Sequence, residues 1–479
     1  MPFKVLLRGL MSALVLSVLL VLAPMIAPSL SLAPPALAQD DDGGDDGGDD
    51  GGDDGGDDDA GGGGGGRGGG DGWGRDAGDR FDRRGGRRPP ARTSPRRQTA
   101  PAPLPAFAPA EIIALDISAA DLTTAAALGF VVLEQRTIAL TGSQSARLSP
   151  PPDRTLTQAR DDLRALAPTA VVDLNHYYRA GQGAPDPGPD ATAPQPCDGP
   201  FCTAFAQIGW PAPTGPASLP DGCDPGGLIG VIDTGLNTDH DSLDPGRIEV
   251  IRAAPGTLPD SDRMHGTSVA SILIGRDASR VPGLLPRARL IAVDAFHKVG
   301  RDERSDAFTL LSALDSLATK GVRVINLSLA GPANTTLERM VTNLSANGTL
   351  LVAAAGNDGP RAQPAFPAAY PVVIAVTAVD PRDRIYRRAV QGTHIDIAAP
   401  GVYVWAAASI KGARPRTGTS FAAPFVTAAA YLLMARGLAP AQVHQTLFDT
   451  ARDLGDAGRD PTFGHGILNA ATLCQNLPG

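Results

Sequence analysis

The chain has 479 residues, room for about two or three domains, and at 42% hydrophobic it has the apolar share of a globular protein. Its glycine and proline are high but unevenly spread, which marks linkers and excludes a fibrous repeat. The formal net charge of -9 is local: residues 40–59 hold twelve aspartates, and the rest of the chain carries +3, so the overall acidity does not define a partner.

Residues 1–38 read as an export signal. Lys4 and Arg8 give the positive start, an apolar run covers residues 10–23, and Ala36-Leu37-Ala38 offers a small-residue cleavage site. At about 14 residues before Pro24 the run is short of the ~20 needed to span a bilayer, so a cleaved signal is expected rather than an anchor. Sec-dependent export to the periplasm or the medium follows, with no membrane span remaining. Residues 39–109 repeat Asp-Asp-Gly-Gly, then turn Arg-rich and Pro/Ala-rich. Such a tract cannot bury enough apolar surface to offset its ordering entropy and is expected to be disordered. Its arginines and glycines could hold nucleic acid, but a solvated, self-compensating linker is the reading adopted, so no nucleic-acid partner is expected.

Residues 110–180 change pattern. Ile112, Ile113, Leu115 and Ile117 suggest a strand, and Ser118 with Asp121 a helix start. Residues 130–140 and 146–148 read as strands, 155–166 as a helix with Leu156, Ala159, Leu163 and Leu166 on one face, and 170–178 as a fourth strand. The β-α-β-β-α-β order is that of a small ferredoxin-like α+β domain. A Pro/Gly-rich linker spans 181–204. From 205 to 474, short apolar runs at 228–232, 290–293, 322–329, 350–355 and 372–376 alternate with helical stretches at 267–274, 306–320 and 337–347. This predicts an α/β fold with a mostly parallel sheet covered on both faces. Four cysteines, Cys197, Cys202, Cys223 and Cys474, in an exported chain suggest two disulfides in one of three connectivities; the spacings fit no common zinc site.

Chemistry is expected beyond the carboxyl ends of the strands. Asp233 stands there, after Leu228-Ile-Gly-Val-Ile232; alone, it would pass for a turn residue. His265 precedes Gly266, Thr267 and Ser268, whose small side chains let its helix approach a neighbour closely. Ser420 lies in Thr417-Gly-Thr-Ser-Phe-Ala-Ala-Pro424 at the start of an apolar helix, where a serine is often only a cap. Here Gly418 permits close approach, the positive helix end favours an oxyanion, and Pro424 is expected within the first turn. Asn357 ends Val352-Ala-Ala-Ala-Gly-Asn357 and presents an amide suited to donate to a developing negative charge.

Together these segments resemble the subtilisin-like serine peptidases, over roughly residues 205–474. The matching motifs are Val231-Ile-Asp-Thr-Gly235, His265-Gly-Thr-Ser-Val-Ala270, Asn326-Leu-Ser-Leu329, Ala353-Ala-Ala-Gly-Asn357, Gly418-Thr-Ser-Phe-Ala-Ala-Pro424 and Gly464-His-Gly-Ile-Leu-Asn469. The order Asp, His, Ser is that of subtilisin. The resemblance implies a subtilisin-like three-layer fold and a serine endopeptidase acting through an acyl-enzyme. Ser420 would be its nucleophile, His265 its base and Asp233 the residue orienting the base. Asn357 and the Ser420 amide would form the oxyanion hole.

By the same resemblance the backbone of Ser328, Leu329 and Ala330 would align a polypeptide substrate as an added strand. Ala354, Gly356 and Ala365 would line a primary pocket for a medium or large apolar side chain. No cofactor and no catalytic metal are expected; structural calcium is compatible with the family but has no assignable residues. Met264 and Ser268 depart from the usual glycine and second histidine, which touches local packing and not the triad, and Ala330 stands for a glycine, which would slightly change the strand that pairs with substrate. Cys223 is expected to pair with Cys474, tying the domain's start to its end, and Cys197 with Cys202. Residues 110–180 resemble the family's propeptide domains, which implies a monomeric, self-inhibited zymogen cut past residue 175. A non-catalytic relative and a surface protein dominated by its charged tail are the competing readings, and the complete triad argues against the first.

Overall fold

The computed structural model describes residues 103–181, 201–210, 219 and 222–475. The expected export signal, most of the acidic and Arg-rich tract, most of the 181–204 linker and Cys197 lie outside them.

The first six elements are β1 (Phe107–Leu115), α1 (Ala119–Ala127), β2 (Val131–Ile138), β3 (Ser143–Ser149), α2 (Leu156–Leu166) and β4 (Val171–Ala180). Both helix starts follow from local chemistry. The Ser118 side chain accepts from the Asp121 N–H, and Thr155 and Gln158 form a reciprocal capping box. The strands order as β2-β3-β1-β4, the ferredoxin-like arrangement. Alternation along β1 separates two cores. Ile112 and Ala114 pack with Leu148, Leu163 and Phe130 under this unit's own helices, while Ile113 and Leu115 join a core of the larger fold.

The remaining elements are α3 (Cys202–Gln207), β5 (Leu228–Asp233), β6 (Ile248–Arg252), α4 (Met264–Ile274), β7 (Arg289–Asp294), β8 (His297–Val299), β9 (Asp302–Asp306), α5 (Ala307–Thr319), β10 (Val324–Leu327), β11 (Leu329–Ala330), α6 (Thr335–Ala346), β12 (Leu350–Ala354), β13 (Val373–Val379), β14 (Ile397–Pro400), β15 (Val404–Ala407), β16 (Ala413–Arg416), α7 (Thr419–Ala435) and α8 (Pro440–Thr450). Seven strands form one parallel sheet in the order β14-β13-β12-β10-β5-β7-β6. Its side chains alternate between two layers. Val231, Val324 and Val352 face the core that holds Val269 of α4 and Phe425 of α7. Ile232, Ile325 and Leu351 face the core that holds Leu311 of α5 and Met340 of α6. The sheet is therefore apolar on both faces, as its continuous hydrophobic runs require.

β4 runs on from the small sheet into the large unit. It pairs antiparallel with β9, Tyr177 opposite Asp306, and with β11, Leu329 opposite Ala180 and Ala330 opposite Arg179. Cys223 and Cys474 form a disulfide with Cα atoms 5.4 Å apart, closing 251 residues of chain. Cys202 is disulfide-bonded as well, to a partner outside the described residues. No helix of the described residues is long and apolar enough to cross a membrane.

Candidate active site

Asp233 is the last residue of β5 and is 2% exposed. Its Oδ1 accepts from His265 Nδ1 at 2.7 Å and from the Thr234 N–H at 2.7 Å. His265 is the second residue of α4, and the contact is possible because Gly266 follows it. A Cβ at Gly266 would lie 2.5 Å from the carbonyl oxygens of both Thr234 and Gly235, so only glycine lets this helix meet the aspartate turn. The Gly266 N–H donates to Thr234 Oγ1 and locks the approach. Burial pushes the His265 pKa down, but the Asp233 charge and hydrogen bond outweigh it and hold the imidazole above its ordinary value. With Nδ1–H given to the carboxylate, Nε2 is left as the basic nitrogen.

Ser420 is the second residue of α7, whose N-cap Gly418 has φ 152°, backbone that a side chain would strain. A Cβ at Gly418 would also lie 3.3 Å from Asn357 Nδ2. Asn357 is oriented from the same helix start: its Oδ1 accepts from the N–H and the hydroxyl of Thr419 at 3.0 and 3.1 Å. The amide NH2 must then face the cleft. His265 Nε2 and Asn357 Nδ2 are both buried without a hydrogen-bond partner. The orphaned ring nitrogen is free to accept a proton, and the orphaned amide is free to donate to negative charge.

Pro424 is the sixth residue of α7 and so lies past the first turn expected for it. Its missing N–H leaves the Ser420 carbonyl without a helix donor, and the Ser328 hydroxyl takes that place at 2.9 Å. The sequence offered Ser328 for its backbone; the ladder to β4 begins one residue later, at Leu329 and Ala330, and the Ser328 side chain turns beneath the serine helix. Ala354 ends β12, and a Cβ at Gly356, φ +103°, would lie 3.1 Å from the Cβ of Ala365, so Gly356 and Ala365 come together. Of the departures noted, Ser268 bonds the carbonyls of Met264 and Ala407 and accepts from Arg416, a polar knot at the foot of α4. Gly331 follows Ala330, and a Cβ there would lie 2.5 Å from the Tyr178 ring.

The cleft is filled by the chain itself. Past Ala180, the carbonyl of Gly181 accepts from Ser420 Oγ at 3.4 Å. Tyr178 is fully buried, its hydroxyl donating to the Pro332 carbonyl at 2.9 Å, and Arg179 forks onto Asp302. Sequence reasoning missed Asp302, Thr419 and Gly331. Residues 302–306 are uniformly polar, so no apolar alternation announced a strand. Among the described residues, no group of three or more His, Cys, Asp or Glu side chains is placed to hold a metal ion.

A parallel α/β sheet carrying an aspartate–imidazole pair and a helix-borne serine at its carboxyl edge is the scaffold of a serine peptidase. Residues 224–466, about half of the chain, match the Subtilase family. A thermophilic serine proteinase of Bacillus sp. (strain AK1) is 36% identical over 251 residues, 50% of this chain and 60% of that protein, so the match spans less than two thirds of its length. Subtilisin DY of Bacillus licheniformis is 32% identical over 258 residues, 52% of this chain and 90% of that protein. The crystal structure of fervidolysin from Fervidobacterium pennivorans, a keratinolytic enzyme related to subtilisin, superimposes with a TM-score of 0.63 at 20% identity. That alignment covers 78% of this chain and 62% of fervidolysin, a likeness of fold. The chain belongs to the subtilase family. It is a subtilisin-like serine endopeptidase.

Proposed function

We propose that this protein is an exported serine endopeptidase made as a self-inhibited zymogen that cuts its own chain after Gly181. The observation that carries the reading is the Gly181 carbonyl, which accepts from Ser420 Oγ at 3.4 Å at the end of a strand paired with β9 on one side and β11 on the other. A peptide held as an added strand with its carbonyl at the serine is laid out as a substrate.

Ser420 attacks the carbonyl carbon, and its proton passes to His265 Nε2. Asp233 accepts from Nδ1 at the ring's opposite edge and stabilises the imidazolium. Negative charge on the tetrahedral oxygen is met by Asn357 Nδ2 and by the Ser420 N–H at the start of α7. His265 then gives its proton to the leaving amine, and water releases the acyl chain by the reverse path. Leu329 and Ala330 align substrate backbone, Ser328 holds the serine helix, and Ala354, Gly356 and Ala365 form the primary pocket.

The inhibitor assignment for residues 110–180 is supported by how this unit grips α5 and α6. Asn175 Oδ1 accepts from the Phe308 N–H at 3.1 Å, and Asp173 Oδ2 accepts from the Thr335 N–H at 2.8 Å, so two of its side chains occupy the N-terminal ends of these helices. Gly181 itself brings no side chain. In this pose a Cβ would lie 2.5 Å from Ser420 Oγ and 2.6 Å from Asn357 Nδ2, so a residue with a side chain would need its backbone shifted here. Labelling with a fluorophosphonate tests the reading: wild-type protein freed of residues 1–181 is expected to label and Ser420→Ala protein is not. Wild type left unlabelled would refute it.

A further inference from the structure

In the cleavage reading above, on which this inference rests, Arg179 is the third residue before the cut and Tyr177 the fifth. Both meet the same face of β9. Tyr177 stands directly opposite Asp306, and its ring lies beneath the Arg304 guanidinium, two residues along, at 3.9 Å. Arg179 reaches Asp302, two residues further along β9, with Nε to Oδ1 at 2.8 Å and Nη2 to Oδ2 at 2.9 Å. These are diagonal cross-strand pairs, repeated along one edge of the cleft.

We propose that Asp302 is a specificity-determining residue that selects arginine at the third position before the scissile bond. Two parallel N–H···O contacts match the planar fork of a guanidinium, which the point charge of a lysine cannot reproduce. Asp302 is 4% exposed and has one cation of its own strand, Arg304, whose Nη1 donates to Oδ2 at 3.0 Å. Among the described residues, Oδ1 accepts from Arg179 alone. A buried carboxylate with one oxygen open to the substrate strand favours a donor there and penalises an acidic side chain by repulsion. The Asp302 carboxyl lies below its ordinary pKa: burial pulls upward, and the hydrogen bonds and charges of Arg179 and Arg304 prevail, so it is ionised in the occupied cleft. Arg179 keeps 29% of its side chain exposed and also donates to the Pro105 carbonyl, a contact that a separate peptide would lack. Solvent screening therefore limits the discrimination to roughly tenfold between arginine and an uncharged residue. Arg304 adds a milder preference for an aromatic ring at the fifth position through its cation–π contact.

The test uses the full chain, allowed to process itself, with fluorogenic peptides Tyr-Tyr-X-Ala-Gly in which X is arginine, lysine, glutamine or glutamate. In kcat/KM, arginine is expected to exceed glutamine by roughly tenfold, with lysine between them and glutamate lowest. In Asp302→Asn protein the arginine-to-glutamine ratio is expected to fall close to one. Equal cleavage of the arginine and glutamine peptides by wild type overturns the inference while leaving the peptidase reading intact. An undiminished preference in the Asp302→Asn variant overturns the assignment to Asp302. Hydrolysis of none of the peptides, together with no fluorophosphonate labelling, overturns both this inference and the reading beneath it. Should the variant fail to fold, the wild-type series decides alone.

Discussion

The Ser328 hydroxyl donates to the Ser420 carbonyl at 2.9 Å, supplying the bond that Pro424 cannot make. Ser328 in turn accepts from Asn326 Nδ2 at 2.8 Å, and Asn326 Oδ1 accepts from Thr427 Oγ1 at 3.0 Å. A chain of side chains from β10 thus holds the helix that carries the serine. Ser328→Ala would leave a fully buried carbonyl without a donor, at a cost of about 1–3 kcal/mol. Thermal unfolding of otherwise inactive Ser420→Ala protein, with and without the change, measures it free of self-digestion.

Asn357→Ala should lower turnover by roughly 10²–10³-fold, the loss established for the oxyanion-hole asparagine of subtilisin itself. KM should move little, because the lost contact is to charge formed after binding. A loss confined to KM would reassign Asn357 to ground-state binding.

Gly266→Ala places a methyl 2.5 Å from two backbone oxygens of the Asp233 turn, neither of which has room to yield. Helix α4 must retreat, taking His265 with it. Turnover should fall by more than tenfold, since displacement of about 1 Å at a reacting group can cost 10²-fold. Steady-state kinetics on one peptide substrate checks it, and a variant of unchanged turnover would show that α4 has slack.

The grip of the small unit should weaken in acid. Asn334 Nδ2 donates to the Leu174 carbonyl and to His176 Nδ1, both at 2.9 Å, while Asn334 Oδ1 caps α6 by accepting from Thr336 and Leu337. Its amide cannot flip, so Nδ1 has to stay an acceptor and the ring neutral. Burial, opposed by the Asp173 charge, holds the His176 pKa below 6.5. A released His176 therefore binds protons that the docked one refuses, and docking weakens as pH falls through 6.5 toward that lower value. Release of residues 103–181 from the processed protein, tracked as recovery of activity, should quicken over that interval. His176→Gln should flatten the response.

Legibility in the sequence tracked apolar pattern and local motif. Five of the seven parallel strands announced themselves as short hydrophobic runs, while β6 and β14 did not, and Asp233, His265, Asn357 and Ser420 each sat in a stretch whose small neighbours made local sense. What stayed hidden depended on partners far along the chain. β9 is Asp-Glu-Arg-Ser-Asp, unreadable as a strand until β4 lies beside it. Ser328 was singled out for its backbone, whereas its hydroxyl answers a vacancy created by Pro424, 96 residues later. The fourth strand of the small unit was expected to stop at residue 178. It continues to Ala180 because β11 offers it an edge, which only the folded chain brings there.

Self-processing comes down to one bond. Intact-mass analysis of wild-type and Ser420→Ala protein, purified under the same conditions, reads whether the chain is cut after Gly181. Wild type is expected to yield a fragment beginning at Gln182, with Ser420→Ala protein intact across that bond. Both proteins cut at the same place, or wild type left whole there, would contradict self-processing by Ser420.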